Sequence, residues 1–195
     1  APTYNAKLYA ASQTFDEARH VEAFNKYIQT RTKMMYPIGN ALKSILDKIL
    51  TDPRWDLKFI GMQVIIEGLA LAAFQASRDL TKDPVFRDML GLIIRDEARH
   101  VTFGINYLEE FVQTLTEQEK EDRAQFAYEA CWLSRERLVS MEVFEHFGMD
   151  AEEARQFQLS SDITQLFQKL LFSRVMPNLK RIGLLRDSVL GKFED

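Results

Sequence analysis

One pentapeptide occurs twice in this chain. Asp-Glu-Ala-Arg-His stands at Asp16–His20, in TFDEARHVEAF, and again at Asp96–His100, in IRDEARHVTFG. The chain has only three histidines, and the repeat takes two of them. Residues three apart on a helix share a face, so Glu17 stands beside His20 and Glu97 beside His100. This Glu-x-x-His spacing offers one carboxylate oxygen and one imidazole nitrogen to one metal ion. A single copy would be an ordinary surface pair. Two copies with the same neighbours imply one local geometry built twice, and a fold that brings the two helices together.

The rest of the chain reads as helix. Its 8 glycines and 5 prolines cluster at joints, and between them apolar residues recur at helical spacing. Asp52-Pro53 and Asp83-Pro84 each offer an N-cap followed by proline at the first helical position. Thr116 with Glu119, and Asp150 with Glu153, have capping-box spacing, and Gly148 marks a stop. The expected helices cover about 6–30, 35–50, 54–80, 84–115, 117–147 and 151–175, followed by a short helical tail. No stretch alternates as a strand would. The expectation is an all-α fold in one domain over residues 1–195, with a bundle core at about 6–115 and extra C-terminal helices at about 117–185. A homodimer is expected.

A third carboxylate lies between the two motifs. Glu67 sits in MQVIIEGLALAAF, surrounded by Val64, Ile65, Ile66, Leu69, Ala70 and Leu71. An unpaired charge buried among such residues costs several kcal/mol, or the group must be protonated. A structural arginine from another helix would satisfy it, and so would a metal ion shared with the two Glu-x-x-His units. Oxygen and imidazole donors suit iron or manganese, and one cysteine, Cys131, cannot build a thiolate site. A ligating histidine usually gives its other N–H to a carboxylate. Asp16 and Asp96 fit that role, each for the histidine of the opposite motif, with Arg19 and Arg99 either balancing those aspartates or facing solvent.

Composition excludes other classes. Net charge is −4, and no basic stripe or polybasic cluster suggests nucleic acid or a membrane surface. The apolar run Phe59–Phe74 is short for a membrane span and is interrupted by Gln63 and Glu67; it reads as a core helix. The lone cysteine fits a reducing, cytoplasmic location. The sequence starts at Ala1 without a leader pattern, as expected of a processed or trimmed chain. Cys131 and Trp132 read as core, and His146 as a residue at a helix end.

Two Asp-Glu-x-Arg-His motifs with a helix-borne glutamate between them resemble the ferritin-like diiron-carboxylate superfamily, over residues 10–110. The resemblance extends to its oxygenase and oxidase branch: arylamine N-oxygenases, multicomponent hydroxylases and ribonucleotide reductase small subunits. It implies a four-helix bundle holding two irons, O2 as co-substrate, and Glu17, His20, Glu67, Glu97 and His100 as ligands. Manganese or a mixed pair would use the same donors. The superfamily pattern also has a glutamate about thirty residues before the first motif. Sixteen residues precede Glu17 here and none supplies it, so a sixth ligand is expected from a trimmed or disordered N-terminal segment or from another chain, or the site is a modified one. Three positions depart from subgroup patterns. Ile93 stands where arylamine N-oxygenases carry an extra histidine. Leu71 replaces a threonine of the hydroxylases. Phe24 lies near the radical tyrosine position of the reductases.

The metal-facing stripes add Gln63, Ala70, Leu71 and Phe74 on one helix, Ile93 and Gly104 on a second, and Gln13 and Phe24 on a third. Such residues usually form plain core; here they are also the expected walls of an apolar substrate chamber. Gly104 makes room either for substrate or for close helix packing. The expected activity is O2-dependent oxidation of a small apolar or aromatic molecule, with electrons from a separate reductase or ferredoxin. The alternatives are a ferroxidase or iron-handling protein, and a non-enzymatic bundle whose repeats are buried ion-pair networks.

Overall fold

The structure is a computed structural model of the 195-residue chain, and it describes residues 1–32, 34–138 and 141–193. All regular elements among these residues are helical: α1 (Tyr4–Arg31), α2 (Asn40–Thr51), α3 (Trp55–Phe59), a π-helical segment (Ile60–Ile66), α4 (Glu67–Leu80), α5 (Pro84–Gln113), α6 (Glu117–Glu136), α7 (Met141–His146), α8 (Ala151–Ser160), α9 (Asp162–Arg181), α10 (Asp187–Leu190) and a closing 3₁₀ turn (Gly191–Phe193). The architecture is an all-α bundle of ferritin-like type.

Local chemistry sets most of the helix ends. Asp83 caps α5 by accepting from the Val85 and Phe86 N–H groups, with Pro84 at the first position. Thr116 and Glu119 close a reciprocal capping box on α6. Gly148 follows α7 at φ 69°, a conformation that favours glycine. Asp52 does something else: its carboxylate accepts from the Arg54 N–H and guanidinium, and the helix starts at Trp55. The Arg54 N–H bond closes a turn ahead of the helix, and Arg54, extended at ψ 117°, takes the N-cap position with no side-chain cap bond. The helix expected from 35 starts only at Asn40, because Pro37 disfavours helical geometry in the residue before it. The one expected over 117–147 is α6 and α7, with 139–140 lying outside the described residues. The one over 151–175 breaks at Ser161, extended at ψ 125°, so that α8 and α9 form separately.

α3, the π segment and α4 run on as one rod, Trp55–Leu80. By length and composition it could cross a membrane, but it is mostly buried inside the molecule. Its middle, residues 60–69, is apolar on nearly all sides and needs cover there, while its last turn is exposed. α5 and α9 pack along α4, and α6 packs on the π segment. Of the C-terminal helices, α6 and α9 therefore enter the core, whereas α7 buries no described residue and α8 only Ala154. Leu171, Val175 and Leu179 of α9 share one core with Val64, Ile65 and Leu69 of the rod and Ile105 and Leu108 of α5. α1 lies on α5 and buries only Ala6 and His20.

Candidate metal centre

The two pentapeptides meet. α1 and α5 lie side by side, and their Asp and His residues exchange partners across the contact. His20 Nε2 lies 3.1 Å from Asp96 Oδ2, and His100 Nε2 lies 3.1 Å from Asp16 Oδ2. Each arginine clasps both aspartates. Arg19 Nη2 donates to Asp16 Oδ1 at 2.6 Å and Asp96 Oδ2 at 2.8 Å. Arg99 Nη2 reaches Asp16 Oδ2 at 3.1 Å and Asp96 Oδ1 at 2.8 Å. The arrangement is an approximate two-fold, with each element of one motif answered by its copy in the other. Burial would raise both aspartate pKa values, but the histidine and arginine hydrogen bonds outweigh it and hold both below the usual range.

Since each Nε2 gives its proton to an aspartate, each Nδ1 turns inward. His100 Nδ1 lies 3.3 Å from Glu17 Oε1 and 3.4 Å from Glu97 Oε2. His20 Nδ1 lies 3.3 Å from Glu97 Oε1 and 3.5 Å from Glu17 Oε2, yet makes no hydrogen bond among the described residues. A lone pair facing carboxylate oxygens at that distance is repulsive unless a proton or a cation lies between them. At His100 a proton takes that place. Burial pulls its pKa down, but Glu17, Glu97, Asp16 and the Glu67 charge outweigh burial and push it up to about 10.

Glu67 completes the cluster from the rod. It follows the π segment directly, and its own N–H reaches back to Met62 O, five residues earlier. Insertions of this kind recur at functional sites because they re-aim one side chain. Gln13 of α1 donates to Glu67 Oε1 at 2.7 Å and accepts from Gln63 Nε2 at 3.2 Å. Glu67 Oε2 is buried with no partner among the described residues. Burial, and next the Glu97 charge, push its pKa up to about 8. Donor atoms of Glu17, Glu67, Glu97 and His100 all lie within 4.8 Å of one another. With His20 Nδ1 beside these four but outside that grouping, the donor set is of the kind a pair of divalent cations takes: hard oxygens, inward-facing imidazole nitrogens and an orphaned carboxylate oxygen.

These observations agree with a comparison against protein families, in which residues 1–183 match the family described as P-aminobenzoate N-oxygenase AurF. The chain belongs to the AurF family. It is a diiron, O2-dependent oxidoreductase of the monooxygenase type, and its cofactor is a pair of irons. Comparisons with curated proteins and with solved structures returned no match. Membership in the AurF family holds although Ile93 occupies the position of the extra histidine; Ile93 is buried and apolar.

The expected chamber walls are scattered. Phe24 and Phe74 meet, with ring centroids 5.7 Å apart. Gln63 is drawn into the Gln13–Glu67 bridge. Gly104 faces no open space, for a Cβ there would fall 2.5 Å from Gln63 Cβ. It serves close packing of α5 on the π segment. Ala70 and Leu71 are only half-buried. Neither the cavity described below nor a smaller one beside it is lined by any of these six residues or by Ile93. One neighbour of the cluster escaped the sequence reading. The Tyr9 ring stacks on Phe103 at 3.6 Å and stands edge-on to His100 at 6.4 Å, and its hydroxyl is buried without a partner among the described residues. Burial and then Glu67 raise its pKa to about 12. The helical stripe running back from His20 through Gln13 reaches Tyr9, and that spacing was the available signal.

Proposed function

We propose that Glu17, His20, Glu67, Glu97 and His100 hold the two irons, and that the chain inserts oxygen into the nitrogen of a small aromatic amine. The observation that carries the ligand assignment is the inward turn of both Nδ1 atoms onto Glu17 and Glu97, beside the unpartnered Glu67 Oε2. The substrate class follows the family's description. When bound, the irons supply reductive activation of O2. The balance is that of a monooxygenase. One oxygen atom enters the N–H bond, the other leaves as water, and two electrons and two protons come from outside. A reductase or ferredoxin is the proposed source, and a homodimer in the cytoplasm the proposed setting.

The protein's own residues do the positioning. Asp16 and Asp96 hold each Nε2–H, which aims both Nδ1 atoms at the carboxylates, where a bound cation would take the place of the His100 proton. Arg19 and Arg99 offset the aspartate charges. Gln13 orients Glu67, which burial keeps a neutral acid near pH 7 and which would give up its proton on holding a cation. Glu17 is the open side of the cluster, its side chain 44% exposed against 7% for Glu97. That flank is where a further ligand or the substrate approaches.

The test is iron stoichiometry followed by turnover. Reconstitution with Fe(II) should give two irons per chain, and Glu67→Ala should lower occupancy sharply. p-Aminobenzoate with O2 and a chemical reductant should yield the N-oxidised product. Full occupancy and turnover in Glu67→Ala would overturn the ligand assignment. Rapid oxidation of excess Fe(II) to mineral, with no organic product, would move the assignment to a ferroxidase.

A further inference from the structure

A cavity of about 430 Å³ opens between α6, α9 and the C-terminal 3₁₀ turn, lined by none of the cluster residues. That volume falls in the range of small-molecule sites. Its walls are aromatic: Tyr128 and Trp132 from α6, Phe172 from α9, and Phe193. Tyr128 and Phe193 meet edge to face at 5.1 Å, and Trp132 is 47% exposed where core burial was expected. Three cations, Arg135, Lys169 and Lys192, complete the lining, and no Asp or Glu is among the lining residues. In a chain with 29 acidic and 25 basic residues this is an unusual local balance. Among the described residues Arg135 and Lys169 make no ion pair, and Lys192 Nζ sits 5.4 Å over the Tyr128 ring and donates to Gln125. Gln168, also in the lining, buries an amide N–H donor that has no partner among the described residues.

Each feature asks for one part of a ligand. Flat aromatic walls stack a planar apolar body. Unpaired cations and an unsatisfied amide donor, with no competing carboxylate, ask for an anionic head. We propose that this cavity binds an aromatic organic anion, a planar ring system carrying one carboxylate or sulfonate, independently of the metal centre. The head group lies toward Arg135 and Lys169, and the ring lies against Trp132 and Phe172. The site does not depend on the oxygenase reading, because no cluster residue contributes to it.

The probe is naphthalene-2-carboxylate, titrated calorimetrically into the full chain, with the neutral naphthalene-2-carboxamide as comparison. One carboxylate should bind per chain and the amide at least tenfold more weakly. Raising salt from 0.05 to 0.5 M should weaken the carboxylate alone, since exposed charges are screened. In a Trp55→Phe background, binding should change the emission of Trp132. Lys169→Glu changes an exposed side chain and should leave the melting temperature unchanged while weakening binding at least fivefold; Arg135→Ala should do the same. Absence of binding would overturn the proposal. So would equal affinity for the amide, parental affinity in both variants, or binding without a change at Trp132.

Discussion

Gly104→Ala tests how tightly the cluster is built. A Cβ at position 104 would fall 2.5 Å from Gln63 Cβ and 3.0 Å from Cγ, with the Gln63 Cα 3.9 Å away. Carbon atoms settle at about 3.5–4.0 Å, so α5 and the π segment must separate by about 1 Å. The obstructing atom sits next to the backbone, so a rotamer change cannot clear it. Overpacking of this kind costs about 1–3 kcal/mol, and replacing glycine inside a helix returns about 1 kcal/mol. With the clash at the backbone end of the side chain, the net expectation is a loss of about 1–2 kcal/mol, or roughly 2–8 °C in Tm for a chain of this size. Gly91→Ala in the same helix is the control. Its Cβ would meet only the flexible Arg78 side chain, at 3.4 Å, so the propensity gain should survive and stability should rise by up to about 1 kcal/mol. Thermal unfolding by circular dichroism measures both. Gly104→Ala should also retain less iron, because Gln63 carries Gln13 and Gln13 orients Glu67. If Gly104→Ala matches or exceeds the stability of Gly91→Ala, the close-packing account is wrong.

Further outcomes follow from the same geometry. In metal-free protein, Glu67 (raised to about 8) and His100 (raised to about 10) both bind protons more tightly when folded, so stability should fall as pH rises from about 4.5 to 10; iron, by replacing those protons, should flatten the profile measured by urea titration at several pH values. Glu67→Gln should stabilise the metal-free protein at pH 8 and remove its part of that slope; an unchanged slope would remove Glu67 from the account. Tyr9→Phe deletes a buried hydroxyl without a partner, so metal-free stability should hold or rise by about 1 kcal/mol; a loss above that would mean the hydroxyl has a partner. Cys131 is 1% exposed and burial pushes its thiol up to about 12, so alkylation near pH 8 should be negligible in the native protein and prompt in urea.

The helices and the core of the site were legible in the sequence because both are short-range matters. Caps at Asp83, Thr116 and Asp150 bind N–H groups two or three residues away, and Glu-x-x-His alignment needs one helical turn. The repeat itself implied the cross-motif exchange between aspartates and histidines. Other features were decided at long range. Residues 60–66 have ordinary helical spacing, and nothing local marks them as π-helical. Trp132 looks like core beside Cys131, yet only the placement of α9 and the C-terminal turn sets it at a cavity mouth. Gly104 left two roles open until Gln63 was found against it.

By itself the sequence determined that this chain is helical, that two copies of one carboxylate–histidine unit must meet, and that Glu67 needs a positive partner or a proton. Those conclusions rest on spacing along one helix and on the cost of burying charge, which neighbours in space do not change. Only the tertiary structure decided which imidazole nitrogen faces which carboxylate, which oxygen of Glu67 is left unpartnered, and that the cluster is open at Glu17. It also decided that α9 joins the core. These depend on the relative rotation and offset of helices far apart in the chain, where a shift of about one ångström reassigns every contact.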